Sequence, residues 1–207
     1  MRLASVLPSL LGALLVIAVP ARAGEITRSA VLPMVTQLDQ HALAGADPVQ
    51  VAASFVDQVI HNQPVQIYLD YFRHLDADAL DRRLNSQARQ LAFWINVYNG
   101  YTQYFLKVDP STYLKDRPAY FSKDQIDIVG DRVSLEDIEH GVLRRGATIY
   151  TLGHIRLLFL RRAFVQRFAV GAVDYRIHFA LNCGALSCPA VQPYTVALVN
   201  QQLDANS

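Results

Sequence analysis

The chain is sparing with the residues that usually announce a function. It has 2 cysteines, 1 tryptophan and 2 methionines in 207 residues, and only 18% of it is charged. So few cysteines exclude a disulfide-dense scaffold, where several bridges stand in for a core. Lys and Arg number 19 against 18 Asp and Glu, so no global field draws in nucleic acid. No glycine-rich phosphate loop, G-x-S-x-G elbow or H-E-x-x-H pair is present, and no cofactor or metal is expected. Internal repeats and low-complexity linkers are missing as well. What is there is apolar matter, 52% of residues with 10% aromatic. That is enough to bury a core and rules out a disordered chain or a coiled coil.

The N-terminus is read separately. Arg2 precedes an uncharged stretch, and Leu10 to Val19 is apolar throughout before Ala21-Arg22-Ala23. A charged start, a short apolar run and an A-x-A end predict a secretory signal peptide over 1–23, cleaved after Ala23. The run is short for the roughly 20 residues that a bilayer needs. No later run is long and uncharged enough to span one, so the mature chain, 24–207, reads as a periplasmic or secreted single domain.

Periodicity predicts mostly helices. Asp47-Pro48 caps one that carries Val51, Phe55 and Val59 up to Asn62. Shorter helices are expected over Gln66 to Leu75 and Ala77 to Leu84. Ser86 to Leu106 is the longest candidate, with Leu91, Trp94, Tyr98, Tyr101 and Phe105 as a core stripe. Beside that stripe runs an amide row, Asn96, Asn99 and Gln103. Amides on so apolar a helix must find partners, either to fix a loop or to orient a catalytic group. Residues 125–134 read as a hairpin turning at Gly130-Asp131. Ser134 with Asp137 reads as a capping box, opening a helix whose ridge holds Glu136, His140 and Arg144. A basic helical segment is expected from Thr151 to Val170, with Arg156, Arg161, Arg162 and Arg167 as a solvated face. Alternation of Ile177, Phe179 and Leu181 predicts a strand over Arg176 to Leu181. Thr195 is read as the cap of a last helix.

Export makes a disulfide between Cys183 and Cys188 the simplest reading of the pair, contributing about 2 kcal/mol at most for so short a loop. The other reading is a nucleophilic thiol, which needs a base or a cation because a free thiol is mostly protonated at neutral pH. His140, flanked by Glu136 and Glu139, and His178 are the candidate bases. The Cys-x4-Cys spacing fits no common zinc module.

Four segments together resemble the family catalogued as domain of unknown function 547. They are Leu91-Ala-Phe-Trp-Ile-Asn-Val-Tyr-Asn99, Ser134-Leu-Glu-Asp-Ile-Glu-His140, Asp174-Tyr-Arg176 and His178-Phe-Ala-Leu-Asn-Cys-Gly-Ala-Leu-Ser-Cys-Pro189. The resemblance runs from about Val65 to Leu203 and implies positions rather than a reaction. Its marked polar residues fall on Asn96, Asn99, Glu139, His140, Arg176, His178, Asn182 and Cys183. It also implies that Cys183 is the shared thiol and Cys188 an optional partner. Tyr175 departs from the family's usual Asp-Pro-Arg, and the chain stops at Ser207, which leaves the last helix incomplete by comparison.

The expected protein is an α+β domain, helices on a small, mostly antiparallel sheet made of the hairpin and the Arg176 strand. The expected activity is a cysteine-dependent hydrolase or acyl transferase acting on an amide or ester of a small molecule or peptide. Cys183 attacks, His140 takes the thiol proton, and Glu139 or Glu136 orients His140. Asn182, Asn96 and backbone N–H groups hold the oxyanion. The alternative is a non-catalytic binding or scaffold domain closed by the Cys183–Cys188 disulfide.

Overall fold

The computed structural model describes residues 43, 45–146, 162–185 and 187–207. The predicted signal peptide, Arg156 and Arg161 lie outside the described residues. Helix α1 (Pro48–Ile60) starts where expected: the Asp47 carboxylate accepts the Val49 N–H at 3.3 Å, and Pro48 fills the first turn. Helices α2 (Gln66–His74) and α3 (Ala77–Arg83) follow, then the long α4 (Gln87–Val108). From Leu91 to Thr102 every residue of α4 is buried, so this helix is enclosed on all sides rather than amphipathic. α1 crosses it at Gly100, where a β-carbon would lie 2.5 Å from the Phe55 ring. The absence of a side chain there lets Phe55 reach Tyr101, with ring centres 5.1 Å apart.

Short helices α5 (Ser111–Lys115) and α6 (Arg117–Ser122) lead into an antiparallel hairpin, β1 (Ile126–Ile128) and β2 (Asp131–Val133). Ile126 faces Val133 and Ile128 faces Asp131, so the turn is Val129-Gly130, one residue earlier than the sequence suggested. The reason is tertiary. The Val129 and Gly130 N–H groups donate to the Phe72 and Arg73 carbonyls, 2.9 and 3.2 Å, completing the open end of α2. That contact holds the β-branched Val129 at φ 51°, a backbone region it would otherwise avoid.

The capping box forms as expected. Ser134 Oγ accepts the Asp137 N–H at 3.0 Å, and the Asp137 carboxylate accepts the Ser134 N–H at 3.1 Å. The segment it opens, Asp137–Leu143, is a π-helix, in which the Arg144 N–H donates to the Glu139 carbonyl five residues back. Helix α7 (Ala163–Phe168) packs Phe164 and Phe168 on Trp94. Of the basic segment, Arg162 pairs with Asp124 and Asp137, and Arg167 with Asp78.

The strand expected at 176–181 is not formed. Tyr175–Phe179 is a 3-10 helix instead. Asp174 accepts the Arg176 N–H at 3.0 Å and grips its guanidinium at 2.9 and 2.6 Å, which bends the chain into a turn before it can extend. Arg176 continues to Asp204 at 2.6 Å, on the last helix α8 (Val199–Asn206). That helix starts beyond the expected Thr195 cap, and Thr195 instead donates its N–H to Gln202 at 3.1 Å. The protein is therefore a mostly helical α+β fold, and among the described residues its sheet is the hairpin alone. No described helix is long and apolar enough to cross a membrane.

Candidate functional site

The amide row of α4 lies inside the protein and ties down its C-terminal third. Asn96, fully buried, donates to the Tyr194 carbonyl at 2.7 Å and accepts the Tyr194 N–H at 2.8 Å. One turn on, Asn99 donates to the Ala180 carbonyl at 2.9 Å and accepts the Asn182 N–H at 2.8 Å. Gln103 donates to Asn182 Oδ1 at 3.1 Å, an oxygen that also accepts the Gly184 N–H at 2.8 Å. Asn182 Nδ2 closes the loop on the Pro189 carbonyl at 2.7 Å. These amides use their hydrogen-bonding capacity on backbone and on each other. The geometry makes Asn96 and Asn182 loop anchors, where the sequence offered them as oxyanion donors.

Between the two ends of that strapped loop sit the thiols. Gly184 turns the chain at φ 80°, and a β-carbon there would lie 2.8 Å from Leu106. The turn brings the Cys183 and Cys188 sulfurs to 2.7 Å, with both cysteines free. The Cys183 N–H points to Cys188 Sγ at 3.2 Å. From α6, Arg117 donates to Cys183 Sγ at 3.0 Å and to the Cys183 carbonyl at 3.2 Å. Its guanidinium lies over the Tyr113 ring at 5.0 Å and has no carboxylate partner among the described residues. Burial pushes the Cys183 thiol up, and its hydrogen bond to Cys188 adds to this. Burial also pushes Cys188 up, but the Cys183 thiol and N–H donating to it outweigh that, and its pKa ends below the ordinary value.

A cleft of about 470 Å³ opens beside the sulfurs, walled also by Tyr98, Glu139, Arg144 and His178. Glu139 is the hub of that wall, accepting from Tyr98 Oη at 2.8 Å and from Arg144 Nη2 at 2.7 Å. Burial, then the Glu139 charge, drives the Tyr98 hydroxyl far above its ordinary range, so it stays protonated and donates. Arg144 Nη1 lies 3.3 Å from His178 Nε2, and its buried Nε has no partner among the described residues. An arginine can only donate, so His178 Nε2 is the acceptor and the other ring nitrogen carries the hydrogen. Burial and then Arg144 hold His178 below its usual pKa, in the neutral form.

The π-helix places Glu139 and Arg144 on this wall but not His140. His140 Nε2 is 3.9 Å from Glu139 Oε1. His178, the other candidate base, lies on a 3-10 turn instead of a strand and lines the cleft with the thiols. The sequence reading missed Arg117 altogether. Asp116-Arg117-Pro118 signals a helix start and nothing in it signals a contact 66 residues away. Among the described residues, no three His, Cys, Asp or Glu side chains converge as a metal would require.

Fold and site together define an α+β domain that presents a thiol pair in a polar cleft, anchored by amides of its central helix. A family model described as protein of unknown function, DUF547, matches residues 82–207, more than half of the sequence, and the chain belongs to that family. No curated protein matches the chain, and no solved structure does.

Proposed function

We infer that the cleft carries out cysteine-dependent acyl transfer or hydrolysis on an amide or ester of a small molecule or peptide. The observation that carries this is Arg117, a cation free of carboxylate partners among the described residues, donating to Cys183 Sγ at 3.0 Å. Such a cation lowers the cost of a thiolate. In the mechanism, once Cys188 has ionised, Cys183 passes its proton to that thiolate and its own sulfur attacks the carbonyl carbon. Arg117 and the neutral His178 donate to the oxygen as it gains charge. The proton on Cys188 then goes to the leaving amine or alcohol as the carbon–nitrogen or carbon–oxygen bond breaks, leaving a thioester on Cys183. Water or an acceptor nucleophile releases it. Glu139, Tyr98 and Arg144 position His178 and do not touch substrate. His140, the base assigned from sequence, sits beside Glu139 and is not on the cleft wall. The apolar run before Ala23 supports export, so this chemistry would take place in the periplasm or outside the cell.

A second reading, a non-catalytic binding domain with a structural Cys183–Cys188 disulfide, is supported by the 2.7 Å between the sulfurs. Incubating the reduced protein with an activated ester and mapping adducts by peptide mass separates the two. A thioester on Cys183, lost in Cys183→Ala and slowed in Arg117→Gln, is the expected result. No adduct on either cysteine, in a protein that alkylates only after reductant is added, would overturn acyl transfer and leave the binding domain.

A further inference from the structure

The donors around the thiol pair suit more than carbonyl chemistry. A static disulfide carries no charge on sulfur and gains little from a guanidinium. Here the Arg117 N–H lies 3.0 Å from Cys183 Sγ and the Cys183 N–H 3.2 Å from Cys188 Sγ, so each sulfur has its own donor. The sulfurs are 2.7 Å apart on the wall of an open cleft, across a turn whose glycine is required by its positive φ. Two thiols in contact, each with a group that stabilises its thiolate, and both reachable from solvent, are what successive exchange steps need.

We propose that Cys183 and Cys188 form a dithiol centre that reduces low-molecular-weight disulfides entering the cleft, with Cys188 attacking and Cys183 resolving. Cys188 leads because the Cys183 N–H donates to it at 3.2 Å, which favours its thiolate. Its thiolate attacks one sulfur of the incoming disulfide, breaking that bond and releasing one small thiolate. With Cys188 now in a mixed disulfide, its charge no longer suppresses ionisation of Cys183. Cys183 gives up its proton to the departing thiolate, and its own thiolate is held by Arg117. It attacks Cys188 Sγ, which forms the Cys183–Cys188 bond and expels the second small thiolate. The two protein sulfurs are oxidised by two electrons and the small disulfide is reduced to two thiols. The cleft volume of about 470 Å³ admits such a conjugate. This centre is independent of the acyl-transfer reading, in which Cys183 leads and no sulfur changes oxidation state.

The probe is oxidised glutathione, added to the fully reduced chain, with adducts mapped by mass and released glutathione counted as free thiol. The native protein should release two thiols per chain and end as an internal disulfide with no retained glutathione. Cys183→Ser should stop at a glutathione adduct on Cys188, formed at least tenfold faster than the adduct on Cys183 in Cys188→Ser. The stoichiometry of the native protein needs no substitution, so a variant that fails to fold leaves the proposal open to refutation. Retained glutathione on the native chain, or no reaction with it, overturns the exchange centre. Equal or faster reaction of Cys183 in a folded Cys188→Ser variant overturns the assigned order. None of these results bears on whether an activated ester acylates Cys183, so the two readings fail separately.

Discussion

Arg144 meets Glu139 at 2.7 Å across five residues of one helix, both side chains 19% exposed. An α-helix turns about 100° per residue and would leave these side chains roughly 140° apart. The π winding of Asp137–Leu143 narrows that offset, and both side chains line the same cleft. Replacing Arg144 with Met should therefore act on His178 as well as on stability. Its positive charge holds the His178 pKa down, so the pKa should rise in the variant, read from imidazole NMR signals over a pH series. Stability should fall by about 2 kcal/mol, because Glu139 loses its guanidinium partner in a half-buried site. An unmoved His178 titration would show that the two side chains are not coupled.

Asn99 holds both ends of the segment before the thiols, through the Ala180 carbonyl and the Asn182 N–H. Asn99→Ala leaves two buried backbone groups without partners and should cost about 2–4 kcal/mol in urea unfolding. Alkylation of the cysteines in the native state should lose its site preference as the loop loosens. A variant within 0.5 kcal/mol of the native protein, on the scale of ordinary surface changes, would refute the anchoring role.

Burial pushes the Cys183 thiol up and Arg117 pulls against it, while at Cys188 Arg117 adds to the hydrogen bonds that hold the thiol down. With Arg117→Gln, the pH profile of iodoacetamide labelling should move upward, and the rate near neutral pH should drop several-fold. The expected signature is a shift of the whole curve with no change in its plateau at high pH. A changed plateau with an unmoved midpoint would mean that Arg117 governs access instead.

Asp174 is held below the usual carboxylate range by the hydrogen bonds and charge of Arg176. A depressed folded pKa contributes stability that is complete above the unfolded value, about 3.9, and is lost as pH falls through the lower folded value. Asp174→Asn should destabilise the protein by about 1–3 kcal/mol near pH 7, the range for hydrogen bonds to charged groups. It has no carboxyl to protonate, so its deficit against the native protein should shrink below pH 4. Urea unfolding at both pH values tests this, and a deficit equal at both would refute the linkage.

Local signals in the sequence carried much of the fold. Asp47-Pro48, the Ser134–Asp137 box and the apolar spacing through Trp94 and Tyr98 each depend on residues within a turn or two of one another. Misreadings came where side-chain or tertiary contacts, not apolar periodicity, decided the outcome. The hairpin turn is set by carbonyls of α2, and the strand expected at Arg176 is bent by a carboxylate two residues away and held by Asp204 on another helix. The π winding has no signature in apolar spacing, so His140 was put on the ridge that Arg144 shares instead with Glu139. The site was legible as a set of residue types, since Cys183, Glu139 and His178 do share one cleft. Their division of labour was not, because Arg117 and the amide contacts depend on where α4 and α6 pass.

The rungs from Asn96 and Asn99 reach 98 and 81 residues along the chain. Contacts of that span carry a larger loop-closure entropy than local ones and slow folding relative to them. Helix α4 can be made early from its own neighbours, whereas the sulfur pair acquires its donors only when residues 180–194 dock against it. Before that docking the two thiols lack the Arg117 contact, which comes from 66 residues away. Their reactivity belongs to the docked fold and not to the cysteine segment by itself.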